Sequence, residues 1–415
     1  MSYKQALSQN IKTRRAVVGI VGIGYVGGAL AKAAANEGFK VIGVTRTQAR
    51  AMHANEQKIP NYTATTDSNN LLKCDIICIC VPTPIHEDKK PDLKPLTDAL
   101  AITADNMQPG TLVIIESTVA PGTTRNIALP ILKTSGLKEE DEFFLSFSPE
   151  RVDPGNKRFN MYNTPRVISG LNRDSLDLIS RFYKSFVHHV IPVSSLETAE
   201  MSKILENTFR LINISFINEL MLYTKKLGID MHEAVNAAAT KPYGFMPHYP
   251  GPGVGGHCIP VDPYYLLDDA KKRGISLSLV ENAGKINEDQ PKKVVARTLE
   301  ILKKTNGHKT TPRVLILGLA YKKDIEDHRE SASLKIWKLL EENKISVSYH
   351  DSYIPSWNGQ TSQELSSKTL SENDVIIIAT DHGSVDYENL TSYQKPILDT
   401  RKVLRKNGFP FVYEI

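Results

Sequence analysis

The chain has 415 residues, which is too long for one ordinary core, so we expect two or three domains. Its composition, 41% hydrophobic and 23% charged, is typical of a globular protein in aqueous solution. The 51 basic and 46 acidic residues leave a net charge of only +5, too diffuse to indicate nucleic-acid binding, although it suits anionic ligands such as nucleotides. No stretch approaches the roughly 18 apolar residues of a membrane span. The polar residues 1–15 lack the apolar core of a secretory signal, so we expect a cytoplasmic protein without a membrane partner.

The first element pattern in the chain predicts a βαβ unit. Residues 16–23 form an apolar run typical of a strand buried on both faces, and a helical stretch and a second strand follow at 29–37 and 41–44. Three glycines lie at the turn between the strand and the helix, namely Gly22, Gly24 and Gly27. In a dinucleotide-binding turn these glycines allow the tight turn, the approach of the pyrophosphate, and close packing of helix on strand. The sequence therefore predicts a nicotinamide dinucleotide site here.

The end of the second strand departs from the common dinucleotide pattern. An acidic residue there normally binds the adenosine ribose, whereas this chain has Thr45 followed by Arg46. An arginine in this place accommodates a 2′-phosphate, so NADP is a possible cofactor beside NAD. The alternative is that Arg46 stacks on the adenine or is solvated.

The pattern continues as two α/β regions separated by helices. Further apolar strands are predicted at 76–81, 112–116 and 143–148 in the first region, and at 314–319, 347–350, 375–379 and 397–399 in the second. Residues 197–227 contain neither Gly nor Pro and predict one long helix, with more helix to 239 and over 264–304. We therefore predict an α/β protein with two Rossmann-like, doubly wound domains joined by a long central helix and a helical dimerisation region. The predicted boundaries are 1–196, 197–305 and 306–415.

One of the four cysteines lies in a setting that suits chemistry. Cys258 follows a run of glycines and prolines from residue 251, and Asp262 comes four residues later. A thiol in such a loop can attack an aldehyde, and loss of hydride from the adduct gives a thioester that water cleaves. Cys74, Cys78 and Cys80 lie instead in an apolar strand, where small buried thiols act as core filler, and their spacing predicts no metal site.

Other polar residues have more than one interpretation. Lys203 and Asn207 are four residues apart on the long helix and share a face, which suits stabilisation of an oxyanion, although a solvated face is equally compatible with the spacing. Residues 117–124 and 148–155 follow strands, where α/β sheets bind ligands. Lys322, Lys323 and Arg329 form a basic corner suited to a diphosphate, or a solvated surface.

Seven separated motifs together resemble the nucleotide-sugar 6-dehydrogenases, the UDP-glucose/GDP-mannose dehydrogenase family, over about residues 15–405. They are GIGYVG (22–27), CVPTP (80–84), ESTVAPGTT (116–124), SPERVDPG (148–155), ETAEMSKILENTFR (197–210), GGHCIPVDP (255–263) and AYKKDIEDHRES (320–331).

The resemblance implies an NAD-dependent enzyme that oxidises the sugar C6 alcohol in two steps to a uronate. It implies that the first domain binds NAD, that the last binds the UDP part of the substrate, and that the protein is a homodimer. The implied catalytic residues are Cys258, Lys203, Asn207, Asp262, Thr118 and Glu150. The implied cofactor-binding residues are Gly22, Gly24, Tyr25, Val26, Gly27, Thr45, Arg46, Pro82, Thr83, Ser117 and Thr118. The implied substrate-binding residues are Glu150, Arg151, Lys203, Asn207, Lys241, Phe245, Gly255, Lys322 and Arg401.

The segment before the cysteine loop narrows the expected sugar. Residues 238–245, followed by Pro250 and Gly251, resemble the branch that acts on UDP-N-acetylhexosamines, and the form of the 149–155 motif agrees. We expect UDP-N-acetyl-D-glucosamine as the substrate, with UDP-N-acetylmannosamine, UDP-N-acetylgalactosamine or UDP-glucose as alternatives. A two-electron hydroxyacid dehydrogenase, or a nucleotide-binding protein without activity, stays open as a different class.

Overall fold

A computed structural model describes residues 1–153, 155–156, 158–305, 311–404 and 409–415. The chain divides into two compact units. Unit 1 contains Met1–Glu206 and Tyr264–Ile275, and unit 2 contains Asn207–Pro263 and Ser276–Ile415. Each unit has its own sheet.

Unit 1 is built on an eight-stranded sheet. In sequence order its strands are β1 (Val17–Val21), β2 (Lys40–Val44), β3 (Tyr62–Thr65), β4 (Ile76–Ile79), β5 (Thr111–Ile115), β6 (Phe143–Phe147), β7 (Arg166–Gly170) and β8 (Val190–Pro192). The strand order across the sheet is β3-β2-β1-β4-β5-β6-β7-β8. All neighbours from β3 to β6 pair in parallel, and β7 is antiparallel to β6. The carboxyl ends of β1 to β6 therefore meet at one edge of the sheet.

Helices cover this sheet on both faces, which gives unit 1 two apolar cores. They are α1 (Tyr3–Lys12), α2 (Tyr25–Asn36), α3 (Gln48–Glu56), α4 (Lys94–Asn106), α5 (Leu129–Leu132) and α6 (Arg173–Tyr183), with short turns at Ser68–Lys73, Thr124–Ala128 and Lys133–Ser135. The strands β4 and β5 are buried along their whole length, as expected for parallel strands covered on both faces.

The predicted long helix is present as α7 (Leu196–Lys226), and the division between the units falls inside it. At its start, the backbone N–H of Thr198 donates to the Ser195 hydroxyl at 3.1 Å. At its end, Gly228 takes a positive φ of 70°, a conformation that favours glycine and stops a helix. The next helices are α8 (Met231–Ala239), α9 (Asp262–Lys272) and α10 (Ser278–Thr305).

Unit 2 contains a second sheet and its helices. After α10 its elements are β9 (Arg313–Leu317), α11 (Ala332–Glu342), β10 (Ser346–His350), β11 (Ser356–Trp357), β12 (Gln360–Thr361), α12 (Ser367–Glu372), β13 (Val375–Ile378), α13 (Tyr387–Leu390), β14 (Ile397–Asp399) and β15 (Val412–Tyr413). Five of these strands form a sheet with the order β10-β9-β13-β14-β15, in which all neighbouring strands are parallel. Val294, Val295, Ile301 and Leu302 of α10 share the apolar core of this sheet. Helix α10 is thus part of the same compact unit as the second sheet.

The predicted fold class is confirmed: two Rossmann-like sheets with a long central helix. The three predicted segments, 1–196, 197–305 and 306–415, stay predictions, and the boundary at 306 lies outside the described residues. Over the described part of the chain, no helix is both long and apolar enough to cross a membrane.

The three strand cysteines are buried, as predicted. Burial raises the pKa of Cys74 to about 12, and it raises those of Cys78 and Cys80 well above the usual thiol range. These thiols therefore stay neutral and act as apolar filler. Cys258, in contrast, is exposed.

Candidate active site

The glycine turn after β1 has the geometry that a dinucleotide requires. Gly22 has a φ of 93°, and a Cβ atom there would lie 2.8 Å from the Cys80 carbonyl oxygen. A Cβ at Gly27 would lie 2.1 Å from the Gly22 carbonyl oxygen, so only glycine lets α2 pack this closely on the strand. A Cβ at Gly24 would meet nothing within 4 Å, so the space beside Gly24, where the sequence predicts the approach of a pyrophosphate, is open. Tyr25 and Val26 begin α2 at this point, and Tyr25 is exposed.

The end of β2 carries no carboxylate in the position next to this turn. Thr45 is buried and its N–H donates to the Thr65 carbonyl, whereas Arg46 is exposed. Arg46 is thus placed where it can meet solvent or a ligand at the same sheet edge.

Ser117, which the sequence analysis predicted to bind the cofactor, connects the ends of β4 and β5. The Ser117 hydroxyl donates to the Val81 carbonyl at 2.7 Å and so links the loop after β5 to the Pro82–Thr83 segment. Pro82 is exposed, Thr83 is buried, and Thr118 is half-buried. The structure therefore brings the predicted cofactor residues of unit 1 to the carboxyl ends of neighbouring parallel strands.

Glu150 lies just after β6 and is held at both carboxylate oxygens. Its Oε1 accepts the backbone N–H groups of Arg151 and Val152 at 2.7 and 2.6 Å. Its Oε2 accepts Nη1 of Arg166 at 3.1 Å, and Arg166 is only 4% exposed. Pro154, in the same motif, lies outside the described residues. Glu150 is consequently fixed by a buried guanidinium that the sequence analysis did not identify.

A second buried carboxylate shares this guanidinium. Arg166 pairs with Glu116, at the end of β5, and the Tyr183 hydroxyl donates to the same carboxylate. Nε of Arg166 donates to the Ser148 hydroxyl at 2.9 Å. Burial raises the pKa of Glu116 even though Arg166 opposes that rise. We call Glu116, Glu150, Arg166 and Tyr183 the Arg166 cluster.

Two further residues predicted to bind substrate lie near α7 in unit 1. Arg151 pairs with Glu206 of that helix and donates to the Pro165 carbonyl at 2.9 Å, so its side chain is already engaged within the unit. Lys203 is half-buried, and Asn207 follows it by one helical turn on the same face of α7.

In unit 2 the structure brings three of the predicted catalytic residues together. The amide of Asn207 donates to Oδ2 of Asp262 at 2.5 Å, and both side chains are buried. The backbone N–H of Asp262 donates to the Cys258 carbonyl at 2.8 Å, which closes the turn into α9. The exposed Cys258 thiol is thus one turn from the buried Asp262 carboxylate, and the Asn207 amide sets the orientation of that carboxylate.

The loop of residues 251–258, which we call the cysteine loop, packs against the loop after β9. The contact is close enough that two of its positions accept only glycine. A Cβ at Gly255 would lie 2.8 Å from the Glu330 carbonyl oxygen, and one at Gly256 would lie 2.7 Å from the Tyr321 ring. The N–H of Gly256 also donates to the Arg329 carbonyl at 3.1 Å. The two motifs 255–263 and 320–331, far apart in the sequence, therefore form one surface of unit 2.

The loop that carries Lys322 is fixed from beneath by a buried histidine. Nδ1 of His382 accepts the backbone N–H of Asp324, and Nε2 of His382 lies 3.1 Å from Oδ2 of Asp351. Asp351 also accepts the backbone N–H groups of Leu319 and Ala320. Burial alone would raise the pKa of Asp351, but these hydrogen bonds lower it, so the carboxylate stays charged.

Arg401 reaches the cysteine loop as well. Its Nε donates to the Ala379 carbonyl at 2.7 Å, and its Nη1 lies 3.0 Å from the position of a Cβ on Gly251. Lys241 and Phe245 lie in an exposed stretch, where the Lys241 ammonium stacks on the Tyr243 ring.

Several residues that hold these sites were missed by sequence reasoning. They are Glu116, Arg166, Tyr183, Glu200, Asp351 and His382. Glu116 and Glu200 lie inside the motifs 116–124 and 197–210, but no role was inferred for them. The other four are buried next to residues distant in the sequence, so no local spacing signals them. No group of three or more His, Cys, Asp or Glu within the described ranges is arranged to hold a metal ion.

The comparisons with known proteins agree with this geometry. Models of the UDP-glucose/GDP-mannose dehydrogenase family match residues 51–187 (NAD binding domain), 197–289 (central domain) and 315–406 (UDP binding domain). The NAD binding domain of D-isomer specific 2-hydroxyacid dehydrogenases also matches residues 2–90.

The chain is similar along its length to characterised relatives. It is 33% identical to a UDP-N-acetyl-D-mannosamine dehydrogenase of Pyrococcus horikoshii, over 95% of this chain and 98% of that protein. It is 34% identical to a UDP-N-acetyl-D-glucosamine 6-dehydrogenase of Pseudomonas aeruginosa, over 81% and 83% of the two chains. The solved structure of the UDP-D-ManNAc dehydrogenase from Pyrococcus horikoshii has a TM-score of 0.87 at 32% identity, covering 96% of this chain and 99% of that one. Three consecutive domain models and a relative that is 33% identical over 95% of this chain thus give the same answer: the chain belongs to the UDP-glucose/GDP-mannose dehydrogenase family and uses NAD.

Proposed function

We propose that the protein is a UDP-N-acetyl-D-glucosamine 6-dehydrogenase, which oxidises the C6 alcohol of the sugar to a carboxylate. The observation that carries the proposal is the group of Cys258, Asp262 and Asn207 in unit 2, where an exposed thiol lies one turn from a buried carboxylate. Simple alcohol oxidation needs no thiol. A thiol beside a carboxylate suits a second oxidation through a covalent adduct followed by hydrolysis.

The reaction balances with two hydride transfers, one water consumed and three protons released. When bound, NAD accepts a hydride in each of the two oxidations. The C6 alcohol first becomes an aldehyde, and Cys258 adds to the aldehyde carbon to form a thiohemiacetal. Loss of hydride from that carbon leaves a thioester on Cys258. Water attacks the thioester, the carbon–sulfur bond breaks, and the uronate leaves with the thiolate restored.

The proposed catalytic side chains divide the tasks of this scheme among them. Asp262 accepts the proton of the attacking water, since its carboxylate is held one turn from Cys258. Lys203 and Asn207, on one face of α7, stabilise the negative charge that develops on the substrate oxygen. Thr118 and Glu150 position water and the reacting carbon, and Glu150 is kept in one orientation by Arg166.

The substrate-binding role is proposed for the surface of unit 2 around the cysteine loop. Lys322 and Arg401 would bind the negatively charged diphosphate, and Gly255 lets the loop lie against the segment after β9. Lys241 and Phe245 complete the set proposed for unit 2, and Arg151 is proposed separately as a substrate-binding residue of unit 1. The matched UDP binding domain at residues 315–406 supports the assignment of Lys322 and Arg401.

The sugar has a second candidate, UDP-N-acetyl-D-mannosamine. The relative from Pyrococcus horikoshii bears that name and covers more of this chain than the UDP-N-acetyl-D-glucosamine 6-dehydrogenase does. The segment at 238–245 supports an N-acetylhexosamine in either case. The two sugars differ only in configuration at C2.

A substrate panel tests the proposal. Purified protein is incubated with UDP-N-acetylglucosamine, UDP-N-acetylmannosamine, UDP-N-acetylgalactosamine and UDP-glucose, each with NAD and with NADP. We expect the highest kcat/KM with UDP-N-acetylglucosamine and NAD, and two molecules of NADH for each uronate. One NADH per substrate would support the two-electron hydroxyacid class instead. Turnover of UDP-N-acetylmannosamine alone would replace the proposed sugar, and turnover of none would contradict the activity.

We also propose a homodimer formed through α7. Exposed apolar side chains recur along this helix at Phe209, Phe216 and Tyr223, and Leu227 follows directly after its end, with exposed fractions from 43% to 62%. Their spacing of seven and four residues places them in one stripe. An apolar stripe of this length on a long helix is typical of a subunit interface. A second copy presenting the same stripe is the proposed partner.

A charge in this stripe should separate the subunits. We expect the double variant Phe216→Glu/Tyr223→Glu to change the molar mass in solution from twice 46.2 kDa to 46.2 kDa. Light scattering after size exclusion measures it, with Lys338→Glu at an exposed position on α11 as the control. A monomeric native protein, or a double variant that stays dimeric, would contradict this interface.

Two broader predictions fit the same proposal. The cytoplasm is the proposed location, supported by four cysteines that are all thiols, as expected in a reducing compartment. The three matched domain models support the predicted division into a cofactor domain, a central helical domain and a UDP-sugar domain.

A further inference from the structure

Glu200 of α7 is a fully buried carboxylate that the mechanism above does not use. Its side chain lies beneath the loop that follows β5 and contains Ser117 and Thr118. Its Oε2 accepts the backbone N–H of Gly122 at 2.5 Å, and its Oε1 accepts the N–H of Thr124 at 2.7 Å. The Glu200 side chain therefore binds the N–H groups of two residues, Gly122 and Thr124, near the end of this loop.

The same end of the loop contains a turn in which the N–H and the hydroxyl of Thr123 both donate to the Ala120 carbonyl, at 3.1 and 2.7 Å. Gly122 has a φ of 92°, and a Cβ there would lie 2.9 Å from the Asn126 side chain, so the turn depends on glycine. Glycine also has the greatest backbone freedom to lose on ordering. The Glu200 carboxylate accepts the N–H groups on both sides of Thr123 and so restricts the backbone at Gly122.

We infer that Glu200 is a positioning residue, which holds the 117–124 loop so that Ser117 and Thr118 present their hydroxyls to the cofactor. The inference rests on the proposed roles of Ser117 and Thr118. It assigns no contact between Glu200 and a ligand. The Ser117 hydroxyl already bonds to Val81, so movement of the loop would also disturb the Pro82–Thr83 segment.

The carboxylate is also poised to change its charge near neutral pH. Burial raises the pKa of Glu200 to about 7, against the hydrogen bonds from Thr124 and Gly122 that lower it. The charged groups nearest to it are Glu197, one turn earlier on α7, and Arg125, which pairs with Glu197 at 2.6 Å. When Glu200 is protonated, one oxygen carries a proton and becomes a weaker acceptor for its N–H group.

The sign of the stability effect follows from the raised pKa. The folded protein retains the Glu200 proton up to about pH 7, whereas the unfolded chain releases it near 4.5. The contribution of this group to stability is therefore full below pH 4.5 and is lost as the pH rises to about 7. Above that pH it stays constant.

The test compares Glu200→Gln with Glu197→Gln, a half-buried neighbour one turn away. Glutamine keeps the size but offers one acceptor and places an NH₂ group against the second N–H. We expect the Kd for NAD, measured by calorimetry at pH 8, to rise about tenfold or more in Glu200→Gln and less than threefold in Glu197→Gln. The native protein should also lose affinity as the pH falls from 8 to 6, and Glu200→Gln should show no such step.

The outcomes separate this inference from the proposed function. An unchanged Kd for NAD in Glu200→Gln, or a pH step that persists in it, would overturn the positioning role. If Glu200→Gln fails to fold, Glu200→Asp provides the second test, since its shorter side chain reaches only one of the two N–H groups and should also weaken NAD binding. Failure of every sugar in the substrate panel would leave the NAD result intact and would count against the proposed function alone.

Discussion

Replacing Cys258 with serine is expected to abolish uronate formation while NAD binding persists. A serine hydroxyl is far less ionised than a thiol at neutral pH, so it forms neither the hemiacetal nor the ester at a useful rate. We expect kcat for uronate to fall on the order of a thousandfold or more, as it does when a covalent nucleophile is removed. The measurement is NADH formation combined with mass spectrometry of the sugar product.

The buried cysteines supply the matched control. Cys74→Ala removes a thiol that is 3% exposed and whose pKa is raised to about 12 by burial, so it should lower stability slightly and leave activity intact. Iodoacetamide should label Cys258 alone in the native protein, since the other three thiols are buried. Full uronate production by Cys258→Ser, or equal loss in Cys74→Ala, would refute covalent catalysis at Cys258.

Local signals explain why the cofactor turn and the long helix were predictable. The roles of Gly22 and Gly27 follow from positions a few residues apart, and the structure places their missing Cβ atoms against the backbone of the same turn. Helix α7 matched its prediction within one residue at each end, because a stretch without Gly or Pro is bounded by clear stop signals. The buried strands β4, β5, β9 and β13 follow in the same way from short apolar runs.

The contacts that orient the proposed catalytic residues depend on tertiary structure. Glu116, Glu150, Arg166 and Tyr183 come from four separate segments and meet only because β5, β6 and β7 are neighbours in the sheet. The antiparallel placement of β7 was also not predicted, since its five residues give no sign of direction. Spacing on α7 indicated the shared face of Lys203 and Asn207, but the hydrogen bond from Asn207 to Asp262 required the fold.

A substitution in the Arg166 cluster is expected to lower the free energy of unfolding strongly. Arg166→Met keeps the length of the side chain but removes the charge that neutralises Glu116 and Glu150 in a buried setting. Removing one partner of a buried ion pair costs about 3–5 kcal/mol, because the remaining charge has no compensation. We expect the free energy of unfolding, from urea denaturation at pH 8, to fall by about that amount.

Two comparisons make this result specific. Arg181→Met removes an exposed arginine that pairs with Asp177 on α6 and should cost about 0–1 kcal/mol. Adding Glu116→Gln to Arg166→Met should restore part of the loss, because it removes one of the two uncompensated charges.

The pH dependence has a defined sign. The pKa of Glu116 is raised by burial already in the native protein, and loss of Arg166 raises it further. A carboxylate with a raised pKa contributes stability below its unfolded value of about 4.5 and loses that contribution as the pH rises. The deficit of Arg166→Met should therefore be smaller at pH 5 than at pH 8. A deficit below about 1 kcal/mol at pH 8, or one that grows toward pH 5, would show that Arg166 does not hold the two carboxylates in the way the structure indicates.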